Sequence, residues 1–266
     1  MRIAIGVEYD GSTFAGWQSQ AHGNTVQDVL ERALSQVAAA PIRIFCAGRT
    51  DAGVHALSQV AHFDVQADRP LSAWVRGVNA HLPPAVAVRW AVAVADAFHA
   101  RFSATSRRYR YLLLNRAVRP ALLSGKVGWF HLPLDAATMA AGAQHLLGEH
   151  DFTAFRAAEC QAKSPVKHLH RATVTRRDDL VVLEFQANAF LHHMVRNLVG
   201  ALVYIGKGSR PPEWMGELLA GRDRACAAPT FDAAGLYFVG ADYDARWGLP
   251  QGDVGVQVPD IADCQP

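Results

Sequence analysis

The sequence predicts the α+β class: two ferredoxin-like α/β halves joined edge to edge into one extended, mainly antiparallel sheet with helices on one face. Residues 1–97 run strand, helix, strand, strand, helix, strand, the order of a split β-α-β sheet. Near Phe98 the pattern restarts and repeats that logic to residue 243 with longer loops and no residue-level repeat. The chain has 266 residues, half of them hydrophobic, enough to bury about 70–75% of its unfolded surface without disulfide or metal staples.

Each element follows from its periodicity. Residues 2–9 read as a strand entered at once, not as a charged-then-apolar leader. Thr25-Val26-Gln27-Asp28 opens a helix to about Ala40, with Val26, Val29, Leu30, Ala33, Leu34 and Val37 on one side and Pro41 at its exit. Strands are expected near 42–47 and 57–65, a helix over 72–82 and a strand at 86–95. The second half is read as strand 107–115, helix 135–147, strand 169–177, a hairpin through Asp178-Asp179, strand 180–187, helix 190–206, a short helix near 211–220 and strand 236–243. Such a sheet leaves its second face free for a ligand. The longest apolar run, Val86 to Ala95, is interrupted by Arg89 and falls far short of the roughly 20 residues of a membrane span. An intracellular, cytoplasmic protein is expected.

Charge is unevenly placed. The formal net charge is +2, but residues 1–240 hold 25 Lys+Arg against 19 Asp+Glu, while 241–266 hold one Arg against five Asp. Residues 244–266 read as an acidic mobile tail. From Ala97 to Leu134 there are seven basic residues and no acid, around the strand pattern Tyr109-Arg110-Tyr111-Leu112-Leu113-Leu114. A like-charged block held on a folded strand favours an anionic partner. Of the 26 basic residues 22 are Arg, whose planar fork suits phosphate, although GC-rich coding also inflates Arg and Ala together. The four cysteines form no CxxC pair, which argues against a cysteine-built zinc site and for a reduced compartment.

Three constellations could carry chemistry. The loop Cys46-Ala47-Gly48-Arg49-Thr50-Asp51-Ala52-Gly53-Val54-His55 turns sharply at its glycines and brings Arg49, Thr50 and Asp51 together. Asp51 either makes a structural Asx turn or serves as an ionised nucleophile or base. On the helix 190–206, His192, His193, Arg196, Asn197, Gly200 and Tyr204 fall within one arc, without the Glu and Lys of a solvated face. That arc suits a site better than a core network. Adjacent helical histidines should not converge on a metal. Tyr109, among Arg107, Arg108 and Arg110, is either strand packing or a flat platform for an unstacked base between phosphate-holding cations. The loop 151–165, with Arg156 and Lys163, is a lid or a long connection. Ile205-Gly206-Lys207-Gly208 lacks the first Gly and the Ser or Thr of a phosphate loop.

With these residues in view, the chain resembles the tRNA pseudouridine synthase A family. Gly48-Arg49-Thr50-Asp51-Ala52-Gly53-Val54-His55-Ala56 is similar to its catalytic signature. So are Arg107-Arg108-Tyr109-Arg110-Tyr111, the loop His150–Pro165, Asn188-Ala189-Phe190-Leu191-His192-His193-Met194-Val195-Arg196-Asn197, and Ala228-Pro229 with Gly235-Leu236-Tyr237. The resemblance implies conversion of uridine to pseudouridine at nucleotides 38, 39 and 40 of the tRNA anticodon stem-loop. It implies Asp51 as the nucleophile, Arg196 as its basic partner with Arg49 beside it, and Tyr109 stacking on the target base. It also implies a homodimer that uses no cofactor, metal or nucleotide. Moving a glycosidic bond from N1 to C5 needs a nucleophile, a pocket that retains the detached base, and contacts that offset the few kcal/mol of flipping it out. Arg49, Arg107, Arg108, Arg110, Arg156 and Lys163 are the candidates for the RNA contacts in a basic RNA-binding cleft. A non-catalytic RNA-binding module and an Asp-dependent hydrolase are the rival readings.

Overall fold

The computed structural model describes residues 1–21 and 23–250. The strands are β1 (Arg2–Tyr9), β2 (Phe45–Cys46), β3 (His55–Asp64), β4 (Val86–Val94), β5 (Ala104–Asn115), β6 (Gly128–Phe130), β7 (Gly148–Asp151), β8 (Val166–Arg177), β9 (Leu180–Ala187) and β10 (Leu236–Tyr243). The α-helices are α1 (Val26–Ala38), α2 (Ala136–Gln144), α3 (Met194–Gly206) and α4 (Trp214–Gly221). The strands form one ten-stranded sheet in the order β4-β1-β3-β10-β5-β9-β8-β7, with β2 on β3 and β6 on β5.

Both halves show the expected split order. In the first, β4, β1, β3 and β2 are antiparallel neighbours; in the second, β10, β5, β9 and β8 are. The halves join where β10 lies parallel to β3, through Tyr237 opposite His55 and Phe238 opposite Ala56. This joint lays the last strand of the second half against the loop that carries Asp51.

Local chemistry sets most boundaries. The Thr25 hydroxyl caps α1 by accepting from the Asp28 amide, and Ala39 ends the helix in the left-handed region. The helix expected over 72–82 is instead a π-helical turn, Ala73–Gly77, with one further helical turn behind it. Prolines at 70, 83 and 84 confine it, and Trp74 and Val78 are its buried anchors. The short strands β6 and β7 went unread because three or four residues show no period. Residues 244–250, read as the start of the tail, carry a 3₁₀ turn, and Trp247 packs on Phe98 at 5.4 Å between ring centroids. The rest of the acidic tail lies outside the described residues.

The core is split by the sheet. On the helix side, one cluster gathers Leu30, Phe63, Trp17 and Trp74 under α1, and another gathers Phe152, Phe155, Leu198 and Leu202 around α3. Tyr109 packs against both. On the opposite face Leu57, Leu112, Leu114 and Tyr237 pack under Val127 of the 116–130 segment. Along β5, Tyr109, Tyr111 and Leu113 therefore face the helices, and Leu112 and Leu114 face away. No helix among the described residues is long and apolar enough to cross a membrane.

Candidate active site

Asp51 sits on a loop pinned from both sides. Before it, the Gly48 amide donates to Gln59 Oε1 at 3.3 Å, and Gln59 Nε2 donates back to the Gly48 carbonyl at 2.6 Å. The Thr50 hydroxyl meets the Tyr9 hydroxyl at 2.7 Å, and its carbonyl accepts from the Trp17 amide at 3.0 Å. After Asp51, Gly53 turns the chain at φ +79°, where a side chain would be strained. A Cβ on Gly11 would overlap the Val54 carbonyl, so only glycine lets the 10–14 segment close on the loop. The carboxylate is thus fixed by β1, β3 and the 10–17 segment.

The second half supplies the partners of that carboxylate. From the first turn of α3, Arg196 Nε donates to the Phe231 carbonyl at 2.9 Å and Nη1 donates to Asp51 Oδ2 at 3.2 Å. His192 Nε2 lies 3.2 Å from Oδ1 and His193 Nε2 3.3 Å from Oδ2. The expectation that the two histidines diverge is overturned. They precede α3 instead of lying within it, and His193 takes the left-handed conformation (φ 60°) as its N-cap residue, which turns both rings toward Asp51. Burial lowers the pKa of His193; the charge of Asp51 opposes this, and those of His192 and Arg196 add to it. Asp51, His192 and His193 each offer one ligand atom, all within 4.8 Å of one another, so these three residues could hold a metal ion.

Tyr109 stands on the sheet floor beside this group. Its ring packs edge-on against Phe190 at 5.0 Å and Phe238 at 5.2 Å. Burial, with Tyr9 and the charge of Asp51 adding to it, raises the pKa of its hydroxyl. The site therefore lies on the helix-bearing face, between the two helix-side cores, and not on the free face expected from the sequence. The reason is the β3–β10 joint, which brings the two helix-side clusters together at Tyr109.

The remaining candidates separate by face and partner. Arg49 is exposed beside Asp51, and Lys163 is exposed on the loop that follows the 3₁₀ turn Thr153–Phe155. Arg156 ties that loop, donating to the carbonyls of Cys160 at 2.6 Å and Ala162 at 3.1 Å. The loop in turn borders the site: the Ala157 amide donates to the His192 carbonyl at 3.1 Å. Arg107 points its guanidinium at backbone carbonyls, including Ala47 at 3.3 Å and Asn188 at 2.9 Å, and so ties the Asp51 loop to the approach of α3. Arg108 and Arg110 lie on the other face, in ion pairs with Asp242 at 3.3 Å and Glu184 at 2.8 Å.

The polar arc expected on α3 does not act as one face. Arg196 alone of its helical members reaches Asp51; Asn197 is buried and donates to the Phe155 carbonyl, and Gly200 abuts the Pro229 carbonyl. Tyr204 stacks with Trp214 under Lys207. Gln59, Thr50 and Tyr9 were missed as supports of the loop. Gln59, flanked by Leu57, Val60 and Ala61 in the 55–63 strand, was the available signal, since a buried amide needs partners.

A family model described as tRNA pseudouridine synthase matches residues 5–103 and 142–244. The tRNA pseudouridine synthase A of Dechloromonas aromatica is 64% identical over 250 residues, covering 94% of this chain and 95% of that one. That of Aromatoleum aromaticum is 62% identical over 261 residues, covering 98% and 99%. That of Thiobacillus denitrificans is 60% identical over 251 residues, covering 94% and 96%.

Proposed function

The chain belongs to the tRNA pseudouridine synthase family, and from that premise we propose that it isomerises uridine to pseudouridine at nucleotides 38, 39 and 40 of the tRNA anticodon stem-loop. The observation that carries this reading is the Asp51 carboxylate, held at 3.2 Å by Arg196 near the Tyr109 ring where the two helix-side cores meet. Asp51 is the nucleophile. Its loop is anchored on three sides, so the carboxylate meets the flipped uridine without reorganising. Arg196, fixed by the Phe231 carbonyl, aims it. The Tyr109 ring supplies the surface against which the base stacks.

Atoms balance without a co-reactant: the N1–C1′ bond breaks, the C5–C1′ bond forms, the C5 proton leaves and N1 gains one. The enzyme is an isomerase. Arg49, Arg107, Arg156 and Lys163, around the site, are proposed to contact RNA, with Arg49 and Lys163 the most directly exposed, and Arg108 and Arg110, on the opposite face in ion pairs, are proposed to contribute less. We divide the chain into 1–97, carrying Asp51, and 98–243, carrying Tyr109 and Arg196, followed by the tail 244–266. A homodimer with RNA lying across both copies, and a cytoplasmic location, rest on family likeness alone; sedimentation with and without tRNA tests the dimer.

The deciding experiment incubates the protein with unmodified tRNA and maps pseudouridine by chemical labelling, with Asp51→Asn in parallel. Label at nucleotides 38–40 from the wild type and none from the variant is expected. Product elsewhere would move the assignment, and free uracil or full activity in Asp51→Asn would overturn it.

A further inference from the structure

We infer that Asp51, His192 and His193 form a binding site for a zinc-class divalent transition-metal ion, and that an ion there inhibits the enzyme by occupying its nucleophile. The inhibition rests on the function proposed above; the binding does not.

The argument begins with spacing. Zinc bound at about 2.0–2.1 Å to tetrahedrally placed nitrogen and oxygen donors sets them about 3.3–3.4 Å apart. His192 Nε2 lies 3.2 Å from Asp51 Oδ1 and His193 Nε2 3.3 Å from Oδ2, and one donor from each of the three residues falls within 4.8 Å of the others. Small ring rotations close that triangle.

The donor chemistry agrees. Two imidazoles and one carboxylate match the three-ligand pattern of open zinc sites, which leaves a fourth position for water. Imidazole selects zinc, copper, nickel or iron over magnesium and calcium, so the magnesium that accompanies tRNA is a poor competitor. The donors are also held in place. Asp51 is anchored through its loop, and His193 is fixed at the N-cap of α3 by a left-handed backbone. Arg196 opposes the ion by charge. However, it is secured through Nε to the Phe231 carbonyl and meets Oδ2, the oxygen also nearest His193, while Oδ1 faces His192, so an ion on Oδ1 requires the His193 ring to turn from Oδ2 toward it. A hydrogen-bonded carboxylate ligand is the usual outer-shell arrangement.

The consequence for chemistry is direct. A carboxylate oxygen committed to a metal cannot attack uridine, and the two imidazoles cannot turn to the substrate. The ion acts as a dead-end ligand, reversed by chelation.

The test titrates the full-length, chelator-treated protein with Co²⁺ in the absence of RNA and reads the visible absorption of tetrahedral cobalt; Zn²⁺ is then added as competitor. A one-to-one tetrahedral spectrum displaced by Zn²⁺ is expected. His192→Gln and His193→Asn, the latter because Asn tolerates the left-handed backbone, should each weaken Zn²⁺ by at least the ~10–100-fold that loss of even an outer-shell partner costs. Circular dichroism establishes that each variant is folded. No saturable binding, or unchanged affinity in both folded variants, overturns the site. Separately, Zn²⁺ should suppress pseudouridine formation over the same concentration range as it displaces Co²⁺, with recovery on adding chelator. Binding without inhibition overturns the inhibitory role. If the metal-free protein makes no pseudouridine, the functional reading fails, and the cobalt titration still decides the site.

Discussion

Arg196 and Asp51, 145 residues apart in the chain, meet at 3.2 Å across the joint between the two halves of the sheet. Each is fixed by its own half: Asp51 by the loop between β2 and β3, Arg196 by the Phe231 carbonyl. The site exists only while the two halves hold their relative position.

That dependence makes Arg196→Lys informative. A lysine cannot reach both the Phe231 carbonyl and the carboxylate. The loss of a charged hydrogen bond, about 1.5–3 kcal/mol, predicts a fall of about 10- to 100-fold in the rate of pseudouridine formation. Single-turnover rates should drop while tRNA affinity in filter binding stays near wild type. A tenfold loss of affinity at unchanged rate would show that Arg196 serves binding.

Tyr109 packs edge-on against Phe190 and Phe238, so its ring belongs to the site floor as well as to the proposed stacking surface. Tyr109→Phe keeps that packing and should fold as the wild type does. Tyr109→Leu removes the stacking surface and is expected to lower the chemical rate at least tenfold, against a change in tRNA affinity of threefold or less. Equal losses in both quantities would remove Tyr109 from the chemical step.

The two faces of the sheet predict different salt behaviour. Arg49→Ala, beside Asp51 and exposed, should reduce the slope of log affinity against log salt by nearly one, as losing one phosphate contact does. Arg108, paired with Asp242 on the far face, should change that slope less when replaced by alanine. Salt titrations of tRNA binding by both variants check this; a larger change in Arg108→Ala would put RNA on the helix-free face.

His62 gives the fold an acid-sensitive point. Burial, with His99 and Arg2 adding positive charge, holds its pKa down at about 4, and its Nδ1 accepts from the Ala100 amide at 3.2 Å. The folded value lies below the unfolded one near 6.5, so the contribution is intact above pH 6.5 and is lost as pH falls through 4. At ~1.4 kcal/mol per unit of pKa shift, the loss reaches a few kcal/mol. Urea unfolding at pH 7, 5 and 4 should show the wild type weakening faster than His62→Gln. Parallel curves for the two proteins would remove His62 as the cause.

The sequence by itself determined most of the element order, the split topology of each half and the candidates for the chemical residues. The residues of α1 and the long strands repeat their apolar positions over enough turns or alternations to be legible, and the Asp51 loop announces itself by its glycines. Periodicity is local, and it misled or said nothing wherever a long-range contact ruled. The π-helical turn at Ala73–Gly77, the strands β6 and β7, and the left-handed His193 each depend on neighbours distant in sequence. Only the tertiary structure decided where the site lies. A parallel pairing of two residues from β10 with two from β3 sets the two helix-side cores next to each other and brings Arg196, His192 and His193 onto Asp51. No local pattern encodes that pairing, because its driving force is burial of Phe238 and Tyr109 between cores that form separately along the chain.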